Sequence, residues 1–431
     1  MILRDPVHGL VAFDGADARV VPALLDTREF QRLRDVRALG VASMAFPGAE
    51  HSRFTHGIGA ARVMARLLAR VEPLAAELGV PLSPQDHDDA MAAALLHDLG
   101  HGPLSHLFEE VFPGMPTHEA WSSAAILDSD SGVHRVLASR DAGMPARVER
   151  LVHGIHPIPL LARAVSGTLD VDRCDYLLRD SHMTGARYGL FDLDWLLRAL
   201  AVERTAAGAR LAVDGAKGLP AIEGYFLARL FMYQQVYFHK TTRAAEAVLR
   251  GVFRRVADLA GEGRGPSVMP PTLARLARGE ALSSVEYLRL DDTVLWSAVS
   301  AWCDDPDPVL ASLARRCRAR ALFKTAPLDG VDSAYDDEIA DAMRACVRAA
   351  GFDDRYHASL DVVEVVPFES ASTDDEALRV LHAHRAPEPI ERASFVLSRL
   401  AGTSLVRRHL IFPAEARDAV TKLVASRRDG A

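Results

Sequence analysis

Cysteine is scarce in this 431-residue chain. Cys174, Cys303, Cys317 and Cys346 are scattered, with no Cys-x-x-Cys pair. That pattern excludes a disulfide frame and fits a reducing compartment. Long apolar runs are missing as well, and the opening Met-Ile-Leu-Arg-Asp-Pro has no signal-peptide pattern. A cytoplasmic protein with no membrane partner is expected. Surplus positive charge is a third absence. The net charge of −8 gives no general attraction to nucleic acid. A polyanionic substrate must therefore be met by a local cluster of cations. Strand signals are few, and there is neither an internal repeat nor a long low-complexity tract.

Hydrophobic types make up 49% of the residues, ample for a sizeable core. Most of the chain has helical spacing. Val63, Met64, Leu67, Leu68 and Val71 recur on one helix face. A second helix is expected from Asp88 to Asp98, stopped by Gly100, Gly102 and Pro103. Others are expected over 193–200, 227–237 and 242–259. Val202 to Arg204 and Arg210 to Val213 read as a hairpin turning around Gly208, and Val362 to Val366 as a strand. The fold class is mainly α, a helical core with small β-hairpins and an α+β C-terminal region. Gly and Pro between Gly261 and Pro271 mark a linker, separating a core over 1–260 from a mostly helical region over 272–431. Residues 370–376 read as an acidic polar loop.

Chemistry concentrates in Leu95-Leu96-His97-Asp98-Leu99-Gly100-His101-Gly102. Adjacent residues on a regular helix diverge, so His97 and Asp98 reach one ion only at a helix end. With His56 before them and Asp172 after, they form a set of imidazoles and carboxylates suited to Mn, Mg, Fe or Zn. Metal-assisted hydrolysis at phosphorus is the chemistry this set implies. His101, His106 and His118 crowd the same stretch. Arg315, Arg316, Arg318 and Arg320 form a basic run without interleaved aromatics, which reads as a solvated helix face or subunit contact rather than a nucleic-acid site.

Asp5-Pro-Val-His-Gly9, Asp26-Thr-Arg-Glu-Phe-Gln-Arg-Leu-Arg34, Phe46-Pro-Gly-Ala49, Arg53-Phe-Thr-His56, His97 to Pro103 and Asp170 to Tyr176 stand in order along the chain. With these strings it resembles the HD-domain phosphohydrolases, and among them the deoxynucleoside triphosphate triphosphohydrolases. The match runs to Lys240. The resemblance implies that His56, His97, Asp98 and Asp172 bind the metal and that a dNTP is split at the α-phosphorus into deoxynucleoside and triphosphate. It implies catalytic roles for His101, His106 and His118, with His106 as acid for the leaving 5′ oxygen. Glu109 stands where the family usually has Asp, orienting one of the other histidines.

Substrate contacts are implied for Arg53, Arg173, Tyr176, Asp180, Arg229 and Tyr237. Tyr176 and Asp180 are four apart and share a helix face; the family uses such a pair to exclude a 2′ hydroxyl and bind the 3′ hydroxyl. The resemblance extends to a homo-oligomer, dimer or tetramer, with a nucleotide activator site at Asp26, Gln31, Arg34 and Lys240. Departures exist. Ala38 and Phe238 stand where vertebrate members have glutamines near sugar and base, and Met1 and Arg4 replace residues that complete the activator site there. These leave base and sugar selectivity open, and with it an alternative substrate such as a ribonucleotide or a nucleoside monophosphate.

Overall fold

A computed structural model of the chain describes residues 1–112, 115–369 and 377–428. The expected loop over 370–376 lies outside these. The first elements are a short antiparallel pair, β1 (Ile2–Asp5) and β2 (Gly9–Ala12). The N-terminal half is then built on α1 (Arg53–Glu77), α2 (Pro84–Leu96), α3 (His106–Val111), α4 (His118–Leu127) and α5 (Val171–Thr184). The expected hairpin is β3 (Leu200–Thr205) paired antiparallel with β4 (Gly208–Asp214). Two long helices follow, α6 (Leu219–Met232) and α7 (Lys240–Gly261).

Local chemistry accounts for the ends of α2. Ser83 and Asp86 form a reciprocal capping box with Pro84 in the first turn, and His97 closes the other end. The stretch expected as one helix over 227–237 is not uniform. Regular α6 ends at Met232, and Tyr233–Tyr237 is wound as a π-helix. One apolar period cannot reveal such a change of winding, which aims Tyr237 inward.

Beyond Gly261 lie α8 (Asp292–Trp302) and α9 (Pro308–Arg318). On α9, Leu310, Leu313 and Cys317 are buried, whereas Ala321 lies past the helix end and is exposed. Strands β5 (Lys324–Pro327), β6 (Ser359–Val365) and β9 (Leu405–Phe412) form an antiparallel sheet in the order β5-β9-β6, while β7 (Arg379–Leu381) pairs with β4 and β8 (Glu388–Pro389) with β7, giving a second sheet in the order β3-β4-β7-β8. The β4–β7 pairing is parallel and stitches the C-terminal region to the first hairpin.

One large core holds Phe108, Phe253, Tyr287 and Trp302 together, so side chains before 261 and after 271 share it. A smaller core of Leu328, Ile339, Met343, Leu410, Phe412 and Val420 sits under the second sheet. No described helix is long and apolar enough to cross a membrane.

His87 on α2 is a tie between three segments. Its Nδ1 donates to Glu72 at 2.6 Å and its Nε2 to Asp17 at 3.0 Å. Burial opposes the charged ring, but the two carboxylate bonds prevail and raise its pKa to about 9. The folded value lies above the unfolded one. The charged tie is therefore fully present below pH 6.5 and is lost as pH rises through about 9. Replacing His87→Gln should cost roughly 1 kcal/mol at pH 6, a figure discounted for solvent screening of the half-exposed partners. In urea melts the difference from wild type should shrink by pH 10.

Candidate active site

Three helix ends meet at the metal-type residues. His56 lies in the first turn of α1, His97 and Asp98 at the close of α2, and Asp172 in the first turn of α5. Asp170 caps α5 by accepting from the Arg173 backbone N–H at 2.8 Å, which fixes the direction of Asp172. His56 Nε2 stands 3.2 Å from His97 Nε2 and 3.0 Å from Asp172 Oδ1, and His97 Nε2 is 3.4 Å from the same oxygen.

The proton positions follow from the partners. His56 Nδ1 faces the Asp175 carboxylate at 2.8 Å, and His97 Nδ1 faces the Ala94 carbonyl at 3.0 Å. Both partners only accept, so both Nδ1 atoms carry hydrogen, and two Nε2 lone pairs converge with a carboxylate oxygen. Three acceptors so close require positive charge between them. Without an ion that charge is a proton: burial disfavours it, yet bonds to Asp172 and Asp175 raise the His56 pKa to about 10, and a divalent ion would replace the proton on Nε2. Two imidazoles and a carboxylate at these spacings fit a divalent ion.

Asp98 is the margin of this corner. One oxygen lies 3.6 Å from His56 Nε2 and accepts from Arg53; the other lies 3.5 Å from His97 Nε2 and 3.2 Å from His101 Nε2. Burial works against its charge, but Arg53 and the histidines hold it well below the usual carboxylate range. The Asp98 carboxylate thus links the ion corner to His101.

Behind the corner lies a network that the sequence reading left unassigned. Asp175, fully buried, accepts from His56 Nδ1, from His8 Nε2 at 2.6 Å, and from Arg179 Nε and Nη2 at 2.8 and 2.9 Å. Arg179 reaches on to Asp5 at 2.8 Å. A side chain on Gly59 of α1 would collide with both Asp175 and Arg179. The i, i+4 spacing of Asp175 and Arg179, three residues beyond Asp172, was the available signal.

A strained turn separates His101 from His106 and His118. Leu104 and Ser105 both have left-handed backbone, φ 57° and 56°, a conformation costly for residues with side chains. Asp292 of α8 holds it: one carboxylate oxygen accepts from the Leu104 N–H at 2.9 Å and the other from the Arg37 N–H at 3.0 Å. Ser105 Oγ accepts from Arg53 Nη2 at 2.8 Å. His118 Nδ1 lies 3.0 Å from Glu109 Oε1, so His118 is the histidine that Glu109 orients. His101 is buried, and burial with the Arg53 charge holds it well below its ordinary value. His106 keeps 68% of its side chain exposed.

A cavity of about 550 Å³ joins these groups to a polar end. There Asp180 accepts from Tyr237 Oη and from His51 Nε2, each at 2.8 Å. His51 was not singled out in the sequence. Burial pushes both Tyr176 and Tyr237 well above the usual tyrosine range, so both hydroxyls keep their protons. Arg53, Tyr176, Asp180 and Tyr237 line the cavity, as does Ala38. Arg173 and Arg229 are not among its lining residues. Arg173 donates to the Gly167 carbonyl at 2.8 Å, and Arg229 to those of Val366 and Pro367 at 3.1 and 2.7 Å. The expected activator residues divide. Gln31 accepts from Arg34 Nε at 2.7 Å, Asp26 lines a separate cleft with Glu29 and Arg135, and Lys240 is exposed at the start of α7.

A model of the HD domain matches residues 53–142, and one of an HD-associated region matches residues 191–264. The first covers His56, His97 and Asp98. The Bacillus subtilis protein YwfO is 31% identical over 96% of this chain and 92% of its own. A solved phosphohydrolase from Bacteroides thetaiotaomicron is 26% identical, covers 96% of this chain and 99% of its own, and superposes with a TM-score of 0.80. The chain belongs to the HD-domain phosphohydrolases. A more distant relative, the Dictyostelium discoideum homologue of the deoxynucleoside triphosphate triphosphohydrolase SAMHD1, is 28% identical over 58% of this chain; the chain matches 48% of its length.

Within this HD-domain phosphohydrolase, Asp175 fixes the tautomer of His56. Replacing Asp175→Asn should weaken divalent-ion binding about 10- to 100-fold by calorimetry. It should also destabilise the fold by roughly 3 kcal/mol, because Arg179 loses its main counter-charge.

Proposed function

We propose that this HD-domain phosphohydrolase hydrolyses deoxynucleoside triphosphates to deoxynucleoside and triphosphate, by attack of water at the α-phosphate. One observation carries the reading. The Asp180 carboxylate, held between Tyr237 and His51, lies in the same cavity as Arg53 and the His56–Asp172 corner. A sugar hydroxyl at Asp180 and a phosphate at Arg53 span that cavity.

His56, His97 and Asp172, with Asp98 at their margin, would hold a divalent ion. Bound there, the ion supplies Lewis acidity and brings the pKa of water down to about 7. Arg53, oriented by Asp98 and Ser105, balances charge on the phosphate oxygens. His106 is the acid for the departing 5′ oxygen. Partial desolvation of its ring against the cavity wall, with the Arg53 and His118 charges, lowers its pKa, and an incoming polyanion reverses that balance and favours the protonated ring. Glu109 and His118 act as the second acid–base pair, with His101 neutral between them and Asp98. Tyr176, one helical turn from Asp180, sets the space beside the sugar.

A second reading is action on a ribonucleotide or a nucleoside monophosphate. Arg53 is the one arginine among the described cavity-lining residues, which is few cations for a triphosphate, and Ala38 offers the sugar no hydrogen bond. Assembly as a homo-oligomer with a nucleotide activator near Gln31 and Arg34, and work in the cytoplasm with four free cysteines, belong to the same proposal.

Each dNTP, NTP and nucleoside monophosphate should be incubated with Mn or Mg and the first product read by chromatography. Triphosphate released from dNTPs is the expected result. Initial release of orthophosphate or pyrophosphate, or turnover of monophosphates alone, would replace it with the second reading. Asp172→Ala should lower kcat by more than the roughly 100-fold that a residue behind the ligands costs.

A further inference from the structure

His101 contains an unexplained atom. The ring is 2% exposed, and its Nδ1 has no hydrogen-bond partner. Its Nε2 is taken by Asp98 at 3.2 Å. A carboxylate accepts, so Nε2 carries the hydrogen and Nδ1 presents a bare lone pair inside the protein. That lone pair faces Glu109 Oε1 at 3.9 Å, too long for a hydrogen bond. The same carboxylate oxygen is 3.0 Å from His118 Nδ1 and 4.0 Å from His106 Nδ1.

The three rings are in mutual contact beside Glu109. His101 and His118 are stacked, with centroids 3.9 Å apart and planes 16° from parallel, and His106 stands edge-on to both at 5.1 Å. One ligand atom from each of His101, His106, Glu109 and His118 lies within 4.8 Å of the others. Four ligands at 2.0–2.1 Å around a tetrahedral ion stand about 3.3 Å apart. Spacings of 3.0, 3.9 and 4.0 Å around Glu109 Oε1 bracket that value, and closing the site requires the stacked His101 and His118 rings to tilt apart so that both planes contain the ion. Asp98 behind His101 supplies the carboxylate that commonly orients a metal-binding imidazole. The His101 ring lies between this site and Asp98, so the two ion positions share no bridging carboxylate.

We propose that His101, His106, Glu109 and His118 form a second divalent-cation site, suited to zinc or cobalt, and that its occupation switches off hydrolysis by withdrawing these histidines from proton transfer. Three imidazoles and one carboxylate are a borderline-soft donor set that favours such ions over magnesium. Binding requires His118 to carry its ring hydrogen on Nε2 instead of Nδ1, which frees the Nδ1 lone pair for the ion. The binding claim stands on the geometry above. The inhibition claim rests on the proposed hydrolytic function.

The test uses the full chain stripped of metal. Calorimetric titration with Zn²⁺ should give two ions per wild-type chain, and one each in Asp172→Ala, Glu109→Gln and His106→Ala. Co²⁺ should produce intense visible bands of four-coordinate geometry in wild type and Asp172→Ala, absent from Glu109→Gln and His106→Ala. His106 is exposed, so its replacement leaves folding intact, which circular dichroism checks. With Mn²⁺ retained in the first corner, as read by its paramagnetic resonance, Zn²⁺ should inhibit dNTP hydrolysis with the midpoint of second-site filling. A single Zn²⁺ in wild type, or a second one that survives in both Glu109→Gln and His106→Ala, overturns the site. Zinc filling the site without inhibiting turnover overturns the switch. A protein that turns over no dNTP overturns the functional reading, while the binding titrations still decide the site.

Discussion

The buried carboxylate of Asp175 is the constraint on which the rest depends. It receives His56, His8 and both arms of Arg179 in a space with no water contact of its own. Such a charge is tolerated in the interior only when fully matched. The matching partners come from the N-terminal segment, from α1 and from α5 itself, so the pairing fixes how these elements approach. It also fixes the tautomer of His56. From that single hydrogen follows the convergence of lone pairs that calls for a cation.

A second constraint acts at the turn before His106. Left-handed backbone at Leu104 and Ser105 persists only because neighbours over-determine it. Asp292 grips the Leu104 and Arg37 amides, and buried Arg32 bridges the carbonyls of His101 and Leu290 at 2.8 Å each. Tyr287 stacks on Trp121 of α4 with planes 5° apart. His101, His106 and His118 are therefore positioned in part from beyond residue 271. The strain is held by packing, and it aims His106 into the cavity mouth.

Much of this was legible in the sequence for definite reasons. His97 and Asp98 precede a glycine-rich stop, so a helix end was forced there, and the hairpin around Gly208 carried alternation and a turn signal. The Asp172 corner was readable because it repeats a family string. His51 was not legible, since its partner Asp180 is 129 residues away and no local period marks the pair. The orientations of Arg173 and Arg229 were equally hidden: backbone carbonyls at Gly167, Val366 and Pro367 claim them, and only tertiary contacts reveal that. The π-wound turn at Tyr233–Tyr237 disappears inside an ordinary helical period.

The central claim is that His56, His97 and Asp172 present their donor atoms to one cation. Anomalous diffraction from crystals soaked in Mn²⁺, collected above and below the metal edge, tests it directly. The account predicts a peak about 2.0–2.3 Å from His56 Nε2, His97 Nε2 and an Asp172 oxygen. A corner without anomalous density, with its imidazoles hydrogen-bonded to each other, would contradict it.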